Sequence, residues 1–222
     1  MADKSFLTWP FFEERHRALA VAIDQWCQSH LPVNHSDVDA VCRDLVAMLG
    51  RDGWLKHTAI DPECPSALDV RALCLIRETL ARHDGLADFA FAMQGLGTGA
   101  ISLFGNDLQR QWLKRTRAGT AIAAFAVSGL KSGSDVANIA MTATRDGDGY
   151  ILNGDKSWIS NGGIADLYVV FARTGEAPGA KGGVAMQRRQ ARRFEGGEES
   201  FQFGFHVHQV CTQRQPHPCE RC

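Results

Sequence analysis

Three stretches of the chain carry residue types at spacings that could do chemistry. Gly95-Leu96-Gly97-Thr98-Gly99-Ala100 fits the glycine pattern that lets a backbone wrap a dinucleotide pyrophosphate. That role needs a strand ahead of the turn and an acid about twenty residues on to hold the ribose. A helical apolar pattern precedes these glycines instead, and no acid lies around Gly119, so close helix packing is the expected role. Gly149 to Ser157 (GYILNGDKS) has the outline of a phosphate loop, but one residue too many separates Gly154 from Lys156 for consecutive amides to curl round one phosphate. A hairpin accounts for it better. Cys211, Cys219 and Cys222, with His206, His208 and His217, supply enough ligands for zinc, and Cys219 and Cys222 have the spacing of one half-site. No second cysteine pair completes it and no apolar framework surrounds it, so no metal site is expected. His83-Asp84 falls where a helix should end and reads as a cap. Spacing alone picks out no Ser-His-Asp set and no carboxylate pair, so no catalytic residue is assigned.

The elements that must position any site are of two kinds. Residues 8 to 119 carry helical periodicity. Thr8, Pro10, Glu13 and Glu14 suit a first turn, after which Phe12, Leu19, Ile23 and Trp26 share one face. Ser36 with Asp39 resembles a capping box ahead of Val38, Val41, Cys42, Leu45, Val46 and Leu49, with Gly50 and Gly53 as stops. Ser66 with Asp69 opens a third helix, with Val70, Leu73, Cys74, Leu80 and Ala81 inward. Leu86 to Phe104 is apolar nearly all round, the pattern of a helix buried on most sides. Asn106 caps a fifth helix carrying Leu108, Trp112 and Leu113, which Gly119 stops.

From Thr120 the texture is extended. Ala121 to Ser128 is a short apolar run, and Met141 to Arg145 joins Tyr150 to Asn153 through Asp146-Gly147-Asp148-Gly149 as a hairpin. Tyr168 to Ala172 reads as one strand buried on both faces. From Arg188 to Cys222 polar residues dominate with no period, and such a stretch cannot bury enough apolar area to offset its ordering entropy. The expected architecture is α+β: an all-helical domain over 1–119, a small, incomplete β-barrel-like domain over 120–187, and an irregular tail over 188–222.

A formal net charge of −1 over 222 residues lacks the cationic excess of a nucleic-acid binder. The longest apolar runs, such as Ala121 to Val127, are too short for a bilayer, and the start MADKSFLTWPFFEERH has no apolar signal core. Cys27, Cys42 and Cys74 sit in helical patterns and read as reduced core thiols. A soluble, cytoplasmic chain with no membrane or nucleic-acid partner is expected.

Phe125 to Asp135 (FAVSGLKSGSD) and Asp148 to Gly163 (DGYILNGDKSWISNGG), followed by Ala165-Asp166 and a strand ending Ala172-Arg173-Thr174-Gly175, resemble the acyl-CoA dehydrogenases. Ala81 to Asp84 and Phe89 to Gly99 fit the same family's N-terminal domain, and the likeness covers about residues 8 to 186, the first half of a family member. The resemblance implies a helical domain, a middle β domain and a C-terminal helical bundle with FAD between them, in homo-oligomers. It places Phe125, Ala126, Val127, Ser128, Gly133 and Ser134 in a loop touching the flavin, with Ser128 on the pyrimidine edge. The Gly133 and Ser134 amides would approach the pyrophosphate or the CoA arm, with Ser134 also a substrate contact. Trp158 would lie against the isoalloxazine, with Ile159 beside it and Ser160 bonding near N5. Alternation along one strand would put Trp158 and Ser160 on one face. The implied reaction is α,β-dehydrogenation of an acyl-CoA in fatty acid metabolism, with Leu86 to Phe104 walling the acyl pocket.

Two departures follow. Gly129, Leu130 and Ser132 stand where the family loop has Glu, Pro and Ala, which loosens a preset turn and removes a carboxylate. The match is expected to end near Gly182, leaving out the bundle that carries the family's catalytic carboxylate; the chain is then truncated and weakly active or inactive alone. The abrupt change of texture there is what out-of-frame translation would give, testable by reading the other two frames for strand-then-helix patterning. The alternatives are a non-catalytic remnant or interaction module of the same fold, and a related flavin-dependent acyl-CoA oxidase or monooxygenase.

Overall fold

The computed structural model describes residues 3–175 other than 131 and 148, together with the backbone of 183–186, 192–193, 200–207 and 210–212. Its helices are α1 (Glu14–His30), α2 (Val38–Arg51), α3 (Val70–His83), α4 (Gly85–Phe104) and α5 (Asp107–Arg117). Four of them open on a side chain that accepts from amides the helix itself leaves unpaired. Asp37 accepts from Ala40, Asp69 from Arg71 and Ala72, Asp84 from Leu86 and Ala87, and Asn106 exchanges bonds with Gln109. The starts expected at Ser36 and Ser66 therefore move to Asp37 and Asp69, carboxylates being the stronger acceptors. Asp84 ends α3 and starts α4, as expected of a cap, while His83 bonds Asp24 at 2.9 Å.

Ile23, Leu45, Leu49, Leu55, Ile76 and Phe91 centre the helical core. On α3 the inward face is Ala72, Leu75, Ile76, Thr79 and Leu80, whereas Val70, Cys74 and Ala81 are exposed. A three- and four-residue period leaves two phases open, and packing against α1 selects the other one. Cys74 is thus a surface thiol, while Cys27 and Cys42 are buried; burial pushes Cys27 up to about 11. Helix α4 is not buried all round: Leu96, Leu103 and Phe104 lie open along it.

The strands are β1 (Ala123–Ala126), β2 (Thr142–Asp146), β3 (Gly149–Ser157), β4 (Leu167–Val170), β5 (Ala172–Arg173), β6 (Gly183–Met186), β7 (Arg192–Arg193), β8 (Ser200–Val207) and β9 (Val210–Thr212). β1 and β4 pair in parallel as a two-stranded sheet, and the others follow the order β7-β8-β3-β2-β5-β6-β9. The expected hairpin is β2–β3: Asp146 faces Gly149, and Gly147 takes φ +56° as such a tight loop requires. The run 168–172 divides, because the Phe171 amide donates to the Ala126 carbonyl (3.0 Å) and the chain then turns onto β2. It carries the corner between the sheets, and its burial on both faces is as expected.

Among the described strands neither sheet closes on itself, so what is seen of the expected incomplete barrel is open sheet. The stretch 188–222, expected to be irregular, supplies the backbone of β7, β8 and β9, with β8 antiparallel along β3 from Tyr150 opposite Val207 to Ser157 opposite Ser200. Of the candidate zinc ligands, Cys219, Cys222, His208 and His217 lie outside the described residues, as do the side chains of His206 and Cys211. Among the described residues no three His, Cys, Asp or Glu side chains gather as a metal site, and no helix is long and apolar enough to cross a membrane.

The glycines of 95–100 are seated inside α4. A Cβ on Gly97 would stand 2.6 Å from the Ala123 Cβ, and the buried Gln94 accepts the Ala123 amide at 3.0 Å. This pattern joins a helix to a strand.

Candidate functional site

Two strand ends converge in the β region. β1 runs out into Val127 and Ser128, and β3 runs out into Trp158. They are tied by two bonds: Lys156 Nζ donates to the Val127 carbonyl (2.7 Å) and the Ser157 amide to the Ser128 carbonyl (3.1 Å). Beyond Ser128, reciprocal bonds between Gly129 and Ser132 (2.9 and 3.2 Å) close a tight turn. Gly133 and Ser134 stand exposed past it.

Trp158 combines two unfavourable features. Its backbone is left-handed at φ +60°, a genuine outlier for a bulky side chain, and the indole is 74 % exposed. The residues after it are fixed. Asn161, at φ +62°, donates from Nδ2 to the Ala123 carbonyl (3.2 Å), and its own carbonyl accepts from Ile164 and Ala165. The Tyr168 hydroxyl donates to the Gly162 carbonyl, and Asp166 accepts the Ile122 amide at 3.0 Å. Burial pushes the Tyr168 phenol up to about 12. Asn161, Asp166 and Tyr168 therefore hold the turn in place.

The structure sorts the expected site residues. Ala126 and Ile159 belong to the buried core of the sheet, so their side chains are scaffold. Phe125 is half-buried, edge-on to Phe171 at 5.0 Å. Val127 and Ser128 are half-buried, held by Lys156 and Ser157. The alternation argument for Trp158 and Ser160 fails: β3 ends at Ser157, and the left-handed bend points the two residues independently. Trp158 faces outward, while Ser160 lines a cavity of about 270 Å³ with Cys42, Phe89, Asn161 and Gly163. The hydroxyls of Ser128, Ser134 and Ser160 make no hydrogen bond among the described residues, and Ser157 Oγ is buried without a partner. An exposed aromatic face suits stacking by a planar cofactor such as a flavin, and hydroxyls without a partner among the described residues are free to bond its polar edge.

Sequence reasoning missed Lys156. Period-two parity with the buried Leu152 was the signal available, since both point to one face of β3. Lys156 is 1 % exposed, and burial alone lowers its pKa to about 8. In the unfolded chain it titrates near its ordinary value of 10.5. The unfolded state thus binds more protons across that window, and the stability contributed by this group rises with pH and is lost as pH falls through about 8. Chemical denaturation should show the parent chain gaining on Lys156→Met by about 2 kcal/mol between about pH 7 and pH 9.5. Parallel curves for the two would contradict this.

Family models place the chain by both of its parts. The N-terminal domain model of acyl-CoA dehydrogenases matches residues 13–120, and the middle domain model matches residues 124–196, past Gly182 where the match was expected to end. The chain belongs to the acyl-CoA dehydrogenase family. Among curated relatives, probable acyl-CoA dehydrogenase fadE25 of Mycobacterium leprae is 34 % identical over 173 residues, which are 76 % of this chain and 44 % of that protein. Very long-chain specific acyl-CoA dehydrogenase, mitochondrial, of Mus musculus is 42 % identical over 113 residues, 49 % of this chain and 17 % of that one. The chain spans less than half the length of these relatives. The solved glutaryl-CoA dehydrogenase from Mycobacterium smegmatis shares the fold with a TM-score of 0.76 at 24 % identity, over 91 % of this chain and 57 % of that one. The acyl-CoA dehydrogenase complexed with FAD from Bacillus anthracis gives 0.75 at 23 %, over 91 % and 38 %.

Proposed function

We propose that Val127, Ser128 and Trp158 to Ser160 hold the flavin of FAD, and that this chain carries the flavin-binding and acyl-pocket portion of an acyl-CoA α,β-dehydrogenation. The helical domain over 1–119 and the middle domain over 120–187 are the units that meet there. The observation that carries the reading is Trp158: a strained backbone and an uncovered indole persist in one residue, and a ligand stacked on the indole accounts for both. When bound, FAD supplies the acceptor for the hydride leaving the β-carbon.

The chain's own residues bind and orient. The Ser128 hydroxyl offers a neutral donor to the pyrimidine edge, and Ser160 lines the cavity together with Phe89. Gly133 has nothing within 4 Å of a Cβ position, so its backbone is open to a pyrophosphate or the CoA arm, with Ser134 beside it. Phe89 and the open apolar face of α4 at Leu96 wall the acyl chain and keep water from it. The α-proton leaves to a carboxylate, for which no residue among those described is assigned. The family's homo-oligomeric assembly is the partner state proposed.

Trp158→Gly tests the reading. Glycine relieves the left-handed strain, so stability should stay within about 1 kcal/mol of the parent. The FAD dissociation constant, from titration of flavin fluorescence, should rise at least about tenfold. Parent-like affinity in this variant would sink the proposal. A second reading, a non-catalytic module, draws on Leu130, which is 67 % exposed at the tip of the turn; a parent chain that retains no FAD would favour it.

A further inference from the structure

Lys156 is a buried ammonium that, among the described residues, makes one hydrogen bond, to the Val127 carbonyl, and pairs with no carboxylate. A methionine-sized apolar side chain would fill the same space without the desolvation of a charge. Polar groups left in so unfavourable a place are usually held by a task, and the position of this one specifies the task. Its single acceptor belongs to the segment that the neighbouring Ser157 amide also grips, through the Ser128 carbonyl. Gly129, next in sequence, adds no side chain to brace that segment, and its Cβ position lies 3.4 Å from the Asp155 carbonyl. Among the described residues, two bonds from the end of β3 are therefore what ties Val127 and Ser128 down.

We infer that Lys156 is a positioning residue that holds the Val127–Ser128 segment in the shape presenting Ser128, at the expense of the fold's own stability. The Val127 carbonyl and the Ser128 N–H belong to one peptide group, so a cation at the oxygen also polarises that N–H and makes it a stronger donor. The inference deepens the flavin reading above and rests on it for what Ser128 meets.

The experiment compares the parent chain with Lys156→Met in three readouts: thermal melting, hydrogen exchange of individual amides, and titration with FAD. Lys156→Met should melt no lower than the parent, with the Phe125 and Ala126 amides exchanging at parent rates. The Ser157 amide, which donates to Ser128, should exchange at least about tenfold faster, and FAD affinity should fall at least about tenfold. Parent-like Ser157 exchange overturns the inference. A lower melting point with faster exchange throughout also overturns it, because Lys156 would then be ordinary core. Lys156→Gln, with a shorter polar head, replaces the methionine variant should that one not fold; failure of both to fold overturns the claim that the charge is held against stability. If the parent binds no FAD, the flavin reading fails by itself, and the Ser157 exchange still decides whether Lys156 holds the segment.

Discussion

Gly97→Ala should destabilise the chain by about 3 kcal/mol, whereas Gly99→Ala, two residues along the same helix, should stabilise it by up to about 1 kcal/mol. The contrast isolates packing from helix propensity. A methyl on Gly97 meets the Ala123 Cβ at 2.6 Å and the backbone of Ala123 and Ala124 at 3.1 Å, none of which is the movable end of a flexible side chain. Helix α4 must then lift from β1, which also strains the buried bond from the Ala123 amide to Gln94. A methyl on Gly99 meets nothing within 4 Å. Urea unfolding of the two variants gives the answer; equal effects would mean that α4 does not sit on β1 as described.

Asp84→Ala should cost about 4 kcal/mol, the largest loss expected from a single polar side chain here. This fully buried carboxylate accepts from the Val33 amide (3.0 Å), the Leu86 and Ala87 amides (2.8 and 3.3 Å) and the His35 ring (3.0 Å). Removing it orphans three backbone donors and uncaps α4. Burial works against its charge, but the Val33 amide, His35 and the two α4 amides outweigh that and hold the carboxyl below its usual range. Its contribution is therefore present at neutral pH and lost as pH falls through the folded-state value. Calorimetry at neutral pH measures the loss, and a variant melting within a few degrees of the parent would contradict it.

Much of this fold could be read from local signals. Asn106 and Gly119 bracketed α5 correctly because capping bonds and a left-handed stop, here φ +71°, are local properties. The Asp146–Gly149 turn was legible for the same reason. What tertiary contacts decide was not: the phase of α3, where α1 chose the other of two acceptable faces, and the open side of α4, whose burial depends on what lies beside it. The polar composition of 188–222 hid β8, because backbone pairing along β3 does not require apolar alternation in the added strand. At the site, the motif residues were found by resemblance, but which of them are structural was not. Asn161 and Asp166 prove to hold backbone amides and carbonyls, and Ile159 is core. Trp158 faces outward only because its left-handed backbone breaks the strand at Ser157, a feature that no period in the sequence announces. Lys156 escaped because a lysine in an alternating strand is ordinarily assigned to the wet face.

The most direct test of the central claim is the visible absorption spectrum of the purified chain after incubation with FAD and desalting. A retained flavin band with resolved structure, quenched in fluorescence and lost in Trp158→Gly, is the result this account predicts. A chain that melts cooperatively, so is folded, yet emerges colourless at FAD concentrations well above the micromolar range would contradict it.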